Sequence, residues 1–171
     1  MQNLDITNLL LGALILYRVI RGQLAPKVVR FKPKALVILI LVGVSSIMDA
    51  FTKQHLTITP QTAALFGLSS LVSAVLFAGL RAWSYRFWTT DAGLVLRQGN
   101  WLTVVWWGIG IGGHLLVDRL WTGSSATLLL YLGITLLVQR GCVWWRATQA
   151  FPSEMATNTS QQSQSRKHHG D

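Results

Sequence analysis

The chain has 171 residues, of which 51% are apolar and 12% are charged, and its 15 lysines and arginines outnumber its 6 aspartates and glutamates. A typical soluble domain has about 25% charged residues, so this composition favours a membrane protein with one domain. A basic excess can also indicate nucleic-acid binding. Here, however, the bases lie in short segments between long apolar runs, where the positive-inside rule places them. We therefore predict contact with a lipid bilayer and no nucleic-acid partner.

Five apolar runs have lengths close to that of a transmembrane helix. A helix rises about 1.5 Å per residue, so about 20 mostly apolar residues cross a hydrocarbon core of about 30 Å. The sequence predicts an all-α membrane protein whose five-helix transmembrane bundle forms one domain over residues 1–150. The predicted spans are at about residues 4–20, 35–51, 59–80, 101–120 and 122–138.

The first of these runs, residues 4–20, is the least regular. Its uninterrupted apolar part extends from Leu9 to Tyr17, and Arg18 must extend its charge to the interface. A helix lying on the membrane surface is the alternative, but such a helix needs a polar face and residues 9–16 are apolar on every side. No basic segment precedes the run, so we expect an uncleaved span rather than a signal peptide.

The bases near the ends of the runs predict the orientation of the chain. Thirteen of them belong to the first connection, the third connection and the C-terminal segment, and only Lys53 and Arg119 belong to the opposite side. By the positive-inside rule, we predict a multi-pass protein of the plasma (cell) membrane. Its N-terminus would lie outside and its C-terminus in the cytoplasm.

The third connection contains a turn pattern. Two short strand-like runs, Tyr85–Thr89 and Leu94–Arg97, flank Asp91 and Gly93, which are typical turn residues. We predict a small cytoplasmic β-hairpin at about residues 85–98, between the third and fourth helices, with an irregular loop as the alternative.

The first connection is rich in bases and contains two prolines, so it cannot continue a helix. A base near an anionic surface contributes about 1 kcal/mol of attraction. We predict that this connection faces anionic lipid headgroups on the cytoplasmic side, with docking of an acidic protein partner as the alternative. We call this set of residues the anionic-lipid face; it comprises Arg21, Lys27, Arg30, Lys32 and Lys34.

The C-terminal segment, residues 151–171, has few apolar residues and is predicted to be a disordered cytoplasmic tail. Its His168 and His169 are too few for a metal-binding tract. Cys142 is the single cysteine, which excludes an intramolecular disulfide and a CxxC redox motif. We therefore predict neither a metal site nor a bound cofactor.

A glycine-rich string extends from Gly108 to Gly113 and fits the pattern G-x-G-x-x-G. In a dinucleotide site this pattern lies between a strand and a helix, whereas here it lies inside an apolar run. The small residues Gly108 and Gly112 instead predict a face on which two helices pack closely.

Four polar residues near the outer ends of two predicted spans form a candidate polar cluster. Polar groups in spans usually face the bundle interior or an aqueous cavity and are functional candidates. The alternative is that the acids lie at interface depth and pair with Arg119 or Lys53. The candidate cluster comprises Asp49, His114, Asp118 and Arg119.

The segment LYRVIRGQLAPKVVRFKPK ends the first run, and AVLFAGLRAWSYRFWTTDAGLVLRQGNWLTVVWW follows the third. Over about residues 8–120 the chain resembles the CcdC-like family of small, largely uncharacterised bacterial membrane proteins. The features that match are Gly79–Arg81, Arg86–Trp88, Asp91 with Gly93, and Arg97–Gly99. The resemblance implies no particular chemistry: one member is linked by name to cytochrome c maturation, but a lone Cys142 does not suit direct disulfide exchange.

The sequence contains no nucleophile with a nearby base, no paired acids and no H-E-x-x-H motif, so we do not predict an enzyme. The leading hypothesis is a non-enzymatic multi-pass plasma-membrane protein that serves as an accessory or assembly factor, with a protein partner or as a homo-oligomer. The alternative is a small oligomeric transporter or channel with the candidate polar cluster at its outer mouth.

Overall fold

The computed structural model describes residues 17, 21–31, 33–53, 59–122 and 127–167. Over these residues the chain is mostly helical and has one small sheet. The helices are α1 (Pro33–Lys53), α2 (Pro60–Ser84), α3 (Trp101–Thr122), α4 (Leu128–Ala150) and α5 (Pro152–Lys167). The strands are β1 (Lys27–Val28), β2 (Arg86–Thr89) and β3 (Val95–Gln98).

Helices α1 to α4 correspond to four of the predicted spans, although their ends differ from the ends of the apolar runs. Helix α4 begins at Leu128 rather than at residue 122 and continues to Ala150. It can continue past its apolar part because Arg146 donates hydrogen bonds to the last carbonyls of α2, those of Ala82 and Trp83. The first predicted span, residues 4–20, lies outside the described residues except for Tyr17, which is helical.

Two of the described helices are long and apolar enough to cross a membrane. They are α2 over Gln61–Ser84 and α4 over Leu128–Ala150, and α3 contains a shorter apolar stretch, Trp101–Val117. The helical character of the predicted fold is therefore confirmed, whereas the number of spans stays a prediction.

Helix α4 occupies the centre of the arrangement and packs along both α1 and α2, and α3 packs on α2. Two glycines allow α1 and α4 to approach closely. A Cβ atom at Gly43 would lie 2.6 Å from the Cα atom of Leu130, and one at Gly133 would lie 2.7 Å from a side-chain carbon of Ile40. Glycine is required at this contact because no side chain fits between the two helices.

The described residues place no neighbour against the predicted packing face at Gly108 and Gly112, so that face stays a prediction. Both glycines are exposed, and no atom lies within 4 Å of where their Cβ atoms would be. Gly110 is the buried one, with Phe77 and Tyr131 both 3.3 Å from its would-be Cβ position. With 3.6 residues per turn, a shift of two residues moves to nearly the opposite side of a helix.

The predicted hairpin is confirmed. Strands β2 and β3 are antiparallel, with Phe87 opposite Arg97. The backbone N–H of Gly93 donates to the carbonyl of Thr90 at 2.8 Å, and Gly93 has a φ of 69°, which glycine adopts without strain. The sequence did not reveal β1, which pairs with the other edge of β3. A strand of two residues is too short to show an alternating pattern.

The predicted disorder of residues 151–171 is wrong over α5, and residues 168–171 lie outside the described residues. The local composition suggested disorder, but two buried side chains dock the helix: Met155 is 4% exposed and Asn158 is 2% exposed. Met155 joins a core at this end of the molecule that also comprises Val29, Ala82, Tyr85, Val95, Val143 and Ala147. The core therefore lies where the sheet, α5 and the ends of α2 and α4 meet.

Candidate functional site: a polar stripe and a basic cavity

Four polar residues follow one side of α4 and the residue before it. Thr127, Tyr131, Thr135 and Gln139 are spaced four apart, so they lie above one another on one helix face. Tyr131, Thr135 and Gln139 are buried. We call these four residues the polar stripe. Its three buried residues are polar side chains on one face of an otherwise largely apolar helix.

At one end of the polar stripe lies His114 of α3. Its side chain is 5% exposed, its Nε2 atom is 3.1 Å from Oγ1 of Thr127, and its ring stacks on that of Tyr131 with 4.0 Å between centroids. The hydroxyl of Tyr131 lies 3.4 Å from that of Ser73 on α2. His114 is thus packed between helices.

Among the other members of the candidate polar cluster, only Asp49 has a side chain that belongs to the described residues. Asp49 is exposed near the end of α1, where its carbonyl accepts a hydrogen bond from Thr52. The side chains of Asp118 and Arg119 lie outside the described residues. The cluster therefore stays a prediction, and His114 is its one member that the structure places in the bundle interior.

The middle of the polar stripe contacts a buried arginine. Arg81 of α2 has an exposed fraction of 0% and donates a hydrogen bond from Nη2 to Oγ1 of Thr135, which itself donates to the carbonyl of Ala74 at 3.0 Å. Its guanidinium carbon lies 4.0 Å from the ring centroid of Trp107. This geometry is a cation–π interaction.

Arg81 has an incomplete set of partners. Among the described residues, its Nε and Nη1 atoms and the indole nitrogen of Trp107 have no hydrogen-bond acceptor. A buried charge without full compensation costs several kcal/mol. A polar group that is buried at such a cost is a candidate for function, and Arg81 is one.

At the other end of the polar stripe, Gln139 joins a hydrogen-bonded chain of three side chains. Gln139 Nε2 donates to the hydroxyl of Tyr85 at 3.0 Å, and that hydroxyl donates to Oε1 of Gln23 at 2.6 Å. Burial raises the pKa of the Tyr85 phenol, despite the opposing effect of nearby arginines, of which Arg97 is the strongest. The phenol therefore stays neutral and keeps its proton as a hydrogen-bond donor near pH 7.

Beside this chain of side chains lies a cavity of about 80 Å³. Three bases line it, Lys27 of β1, Arg97 of β3 and Arg140 of α4, and we call it the basic cavity. Burial lowers the pKa of Arg97, the phenol of Tyr85 opposes this effect, and nearby Arg140 lowers it further. An arginine stays charged at neutral pH even after such a shift. The rest of its described lining is Gly22, Gln23, Ala25, Tyr85, Leu136 and Gln139, and none of these residues carries a carboxylate.

The basic cavity was not predicted, although the anionic-lipid face includes one of its residues. Of that face, Arg21, Lys27, Arg30 and Lys34 are exposed, and Lys32 lies outside the described residues. The polar stripe has a visible signal in the sequence, its spacing of four within an apolar run. The sequence gives no signal that Lys27, Arg97 and Arg140 lie close together, because their proximity depends on how three separate elements pack.

Comparisons of the chain with protein-family models, with curated proteins and with solved structures find no match. The resemblance to the CcdC-like family therefore stays a prediction.

Proposed function

We propose that this protein is a multi-pass plasma-membrane protein with five transmembrane helices, an outside N-terminus and a cytoplasmic C-terminus. In this proposal it acts without enzymatic chemistry, as an accessory or assembly factor. Its apolar helix faces would contact lipid and a protein partner or a second copy of the chain. Its basic end would contact anionic headgroups.

The exposure of apolar helix surface carries the proposal. A core helix of a soluble protein can be as long and apolar as α2 or α4, but it is mostly buried. Here only 11% of the residues in the apolar stretch of α2 are buried, and 28% of those in the apolar stretch of α4. Large apolar side chains are exposed along α1 and α2, among them Val37, Ile38, Leu41, Val42, Leu65, Leu68, Val72 and Leu76. An exposed apolar surface of this kind is unfavourable in water, whereas in a membrane lipid tails would cover it.

The packing of the connections supports the predicted sidedness. The positive-inside rule assigns the first connection, the third connection and the C-terminal segment to one side of the membrane. In the structure, β1 from the first connection pairs with β3 from the third, and α5 packs on β3. Segments that touch one another outside the helices belong on the same side.

Labelling of introduced cysteines tests the topology. In a Cys142→Ser background, we expect Ala92→Cys in the hairpin turn and Thr157→Cys on α5 to react with a membrane-impermeant maleimide only after cells are permeabilised. The matched control is Gln61→Cys near the start of α2, which should react on intact cells. All three positions are exposed in the structure. Labelling of Ala92→Cys on intact cells, or recovery of the protein in the soluble fraction, would contradict the proposal.

Co-purification tests the accessory role. The tagged full chain would be solubilised from membranes in a mild detergent, and we expect it to retain a protein partner or a second copy. The control is a stronger detergent that strips such contacts. Recovery of the bare monomer under every solubilisation condition would count against an accessory or assembly role.

The alternative, a small oligomeric transporter or channel, is favoured by one observation. Together with its partners His114 and Arg81, the polar stripe forms a line of polar groups that ends at Gln139 beside the basic cavity. Polar groups within a span often mark a pathway for ions. The observed packing of His114 against Tyr131 is equally suited to a structural contact.

Flux measurements on reconstituted vesicles separate these roles. If the alternative holds, vesicles with the full chain will pass chloride or phosphate faster than empty vesicles. Arg81→Gln and His114→Ala will then reduce that flux by about tenfold or more, since each removes a polar group from the pathway. Thr62→Ala, at an exposed position on α2, is the control. Equal flux in all these variants and in empty vesicles would exclude transport of these anions.

A further inference from the structure

The basic cavity brings together three positive charges that are far apart in the sequence. Lys27 belongs to β1, Arg97 to β3 and Arg140 to α4, and all three line one cavity of about 80 Å³. Among the described residues, no carboxylate lines the cavity and none is a cause of the lowered pKa of Arg97. The positive charge of the cavity is therefore not neutralised by the part of the chain that the structure describes.

The fold holds these charges in place. Lys27 lies directly opposite Arg97 in the antiparallel register, so their side chains project from the same face of the sheet. Arg140 follows Gln139, which is fixed by its hydrogen bond to Tyr85. Like charges repel when they are held close together, so this arrangement costs free energy in the absence of an anion.

The backbone beside the cavity is also fixed. The carbonyl of Gln23 accepts a hydrogen bond from the backbone N–H of Gly99 at 3.1 Å. A Cβ atom at position 99 would lie 2.7 Å from the same carbonyl oxygen, so only glycine fits there. The side chain of Gln98 donates to the carbonyl of Leu24 at 2.7 Å. The segment that forms one wall is thus attached at the end of β3, and these hydrogen bonds hold the shape of the cavity.

The chemistry of the lining points to one kind of ligand. The planar guanidinium of arginine matches the oxygens of a phosphate, and lysine adds a compact positive charge. The volume far exceeds the ~10–15 Å³ needed for a single water molecule. We propose that the basic cavity binds a phosphate group, supplied either by an anionic phospholipid headgroup or by free phosphate.

The lipid source rests on the proposed membrane topology. In the topology proposed above, in which a span ends at residue 138, Gln139 and Arg140 would lie next to the headgroup phosphates, and Leu136 gives the cavity an apolar side. Free phosphate would reach the same bases from the aqueous side. The two sources share one site and differ in what must be present for it to fill.

The test uses the purified full chain in nanodiscs. In one arm the nanodiscs contain phosphatidylcholine with or without phosphatidylglycerol, and retained lipid is counted by native mass spectrometry. In the other, inorganic phosphate is titrated into phosphatidylcholine nanodiscs and the thermal midpoint is followed. We expect retention of phosphatidylglycerol, a rise of the midpoint with phosphate, or both. The double variant Arg97→Gln/Arg140→Gln should weaken binding by about tenfold or more, since it removes two charge-assisted contacts.

The matched control is Arg86→Gln, compared with the single variant Arg97→Gln. Arg86→Gln removes one positive charge from an exposed position on β2 that belongs neither to the cavity lining nor to the anionic-lipid face. It should bind as the unmodified chain does. Lys27→Gln changes an exposed side chain of the cavity and should weaken binding without affecting folding. Equal loss in the cavity and control variants, or no binding in either arm, would overturn the proposal. Neither result would change the cysteine labelling pattern, so failure of the site and failure of the topology are distinguishable.

Discussion

Gly43→Ala is expected to destabilise the helix bundle by about 1–3 kcal/mol, the usual cost of overpacking a close contact. The added methyl group would collide with the backbone of α4, 2.6 Å from the Cα atom and 2.9 Å from the carbonyl carbon of successive residues, Leu130 and Leu129. Backbone atoms cannot move aside as a flexible side chain can, so α1 and α4 would have to separate. The thermal midpoint of the purified protein in detergent measures the effect.

Alanine substitutions at two other glycines serve as comparisons for the stability loss expected from Gly43→Ala. At Gly133 the nearest atom to an added methyl group is a side-chain carbon of Ile40 at 2.7 Å, so Gly133→Ala should have a smaller effect. Gly67 has nothing within 4 Å of the would-be Cβ, and Gly67→Ala should be neutral or stabilising by up to ~1 kcal/mol from helix propensity. The same loss of stability at Gly43 and Gly67 would show that α1 and α4 do not meet as described.

Asn158→Ala is expected to release α5 from the sheet. The side chain of Asn158 accepts a hydrogen bond from the backbone N–H of Val95 at 3.1 Å and donates to the carbonyls of Val29 at 3.2 Å and Val95 at 3.1 Å. The carbonyl of Val95 keeps a second partner, the backbone N–H of Val29, at 3.0 Å. The variant therefore leaves the N–H of Val95 and the carbonyl of Val29 without their bond to Asn158, and each loss lowers the free energy of unfolding by about 1–3 kcal/mol.

Limited proteolysis measures this release, because an undocked helix of such polar composition becomes a substrate for cleavage. Thr157→Ala removes a side chain from the exposed side of the same helix and should leave the cleavage rate unchanged. Asn158→Asp separates packing from hydrogen bonding, since it keeps the shape but presents carboxylate oxygens to two carbonyls. We expect it to be cleaved at least as fast as Asn158→Ala. Equal resistance in all three variants would refute the docking role.

The parts of the fold that the sequence predicted correctly depend on local patterns. Long apolar runs predicted α1 to α4, and turn residues such as Asp91 and Gly93 predicted the hairpin. Strand β1 could not be predicted, because two residues have no periodicity and their extended form depends on pairing with β3. Helix α5 was missed because its docking depends on two buried side chains, Met155 and Asn158, rather than on its average composition.

In the candidate site, too, the sequence predicts what depends on a local pattern and does not predict what depends on tertiary packing. The spacing of Tyr131, Thr135 and Gln139 is visible along the chain, but their partners on α2 are not. The glycine pattern shows that small residues are present on α3, but it does not show which of them faces a neighbouring helix. The sequence therefore predicted a packing face at Gly108 and Gly112 rather than at Gly110. The three bases of the basic cavity belong to separate elements, and only tertiary packing brings them together.

The hydrogen bonds of Asn158 have a consequence for the order in which the protein is made. Asn158 and the carbonyl of Val29 that it contacts are 129 residues apart in the chain. The ribosome therefore completes α1 to α4 before it supplies the side chain that closes the sheet end. In the proposed topology, helix insertion would therefore precede closure of the sheet end from the C-terminus. A chain released before residue 158 has all four of these helices but leaves the buried N–H of Val95 unsatisfied, a defect that a protease can detect.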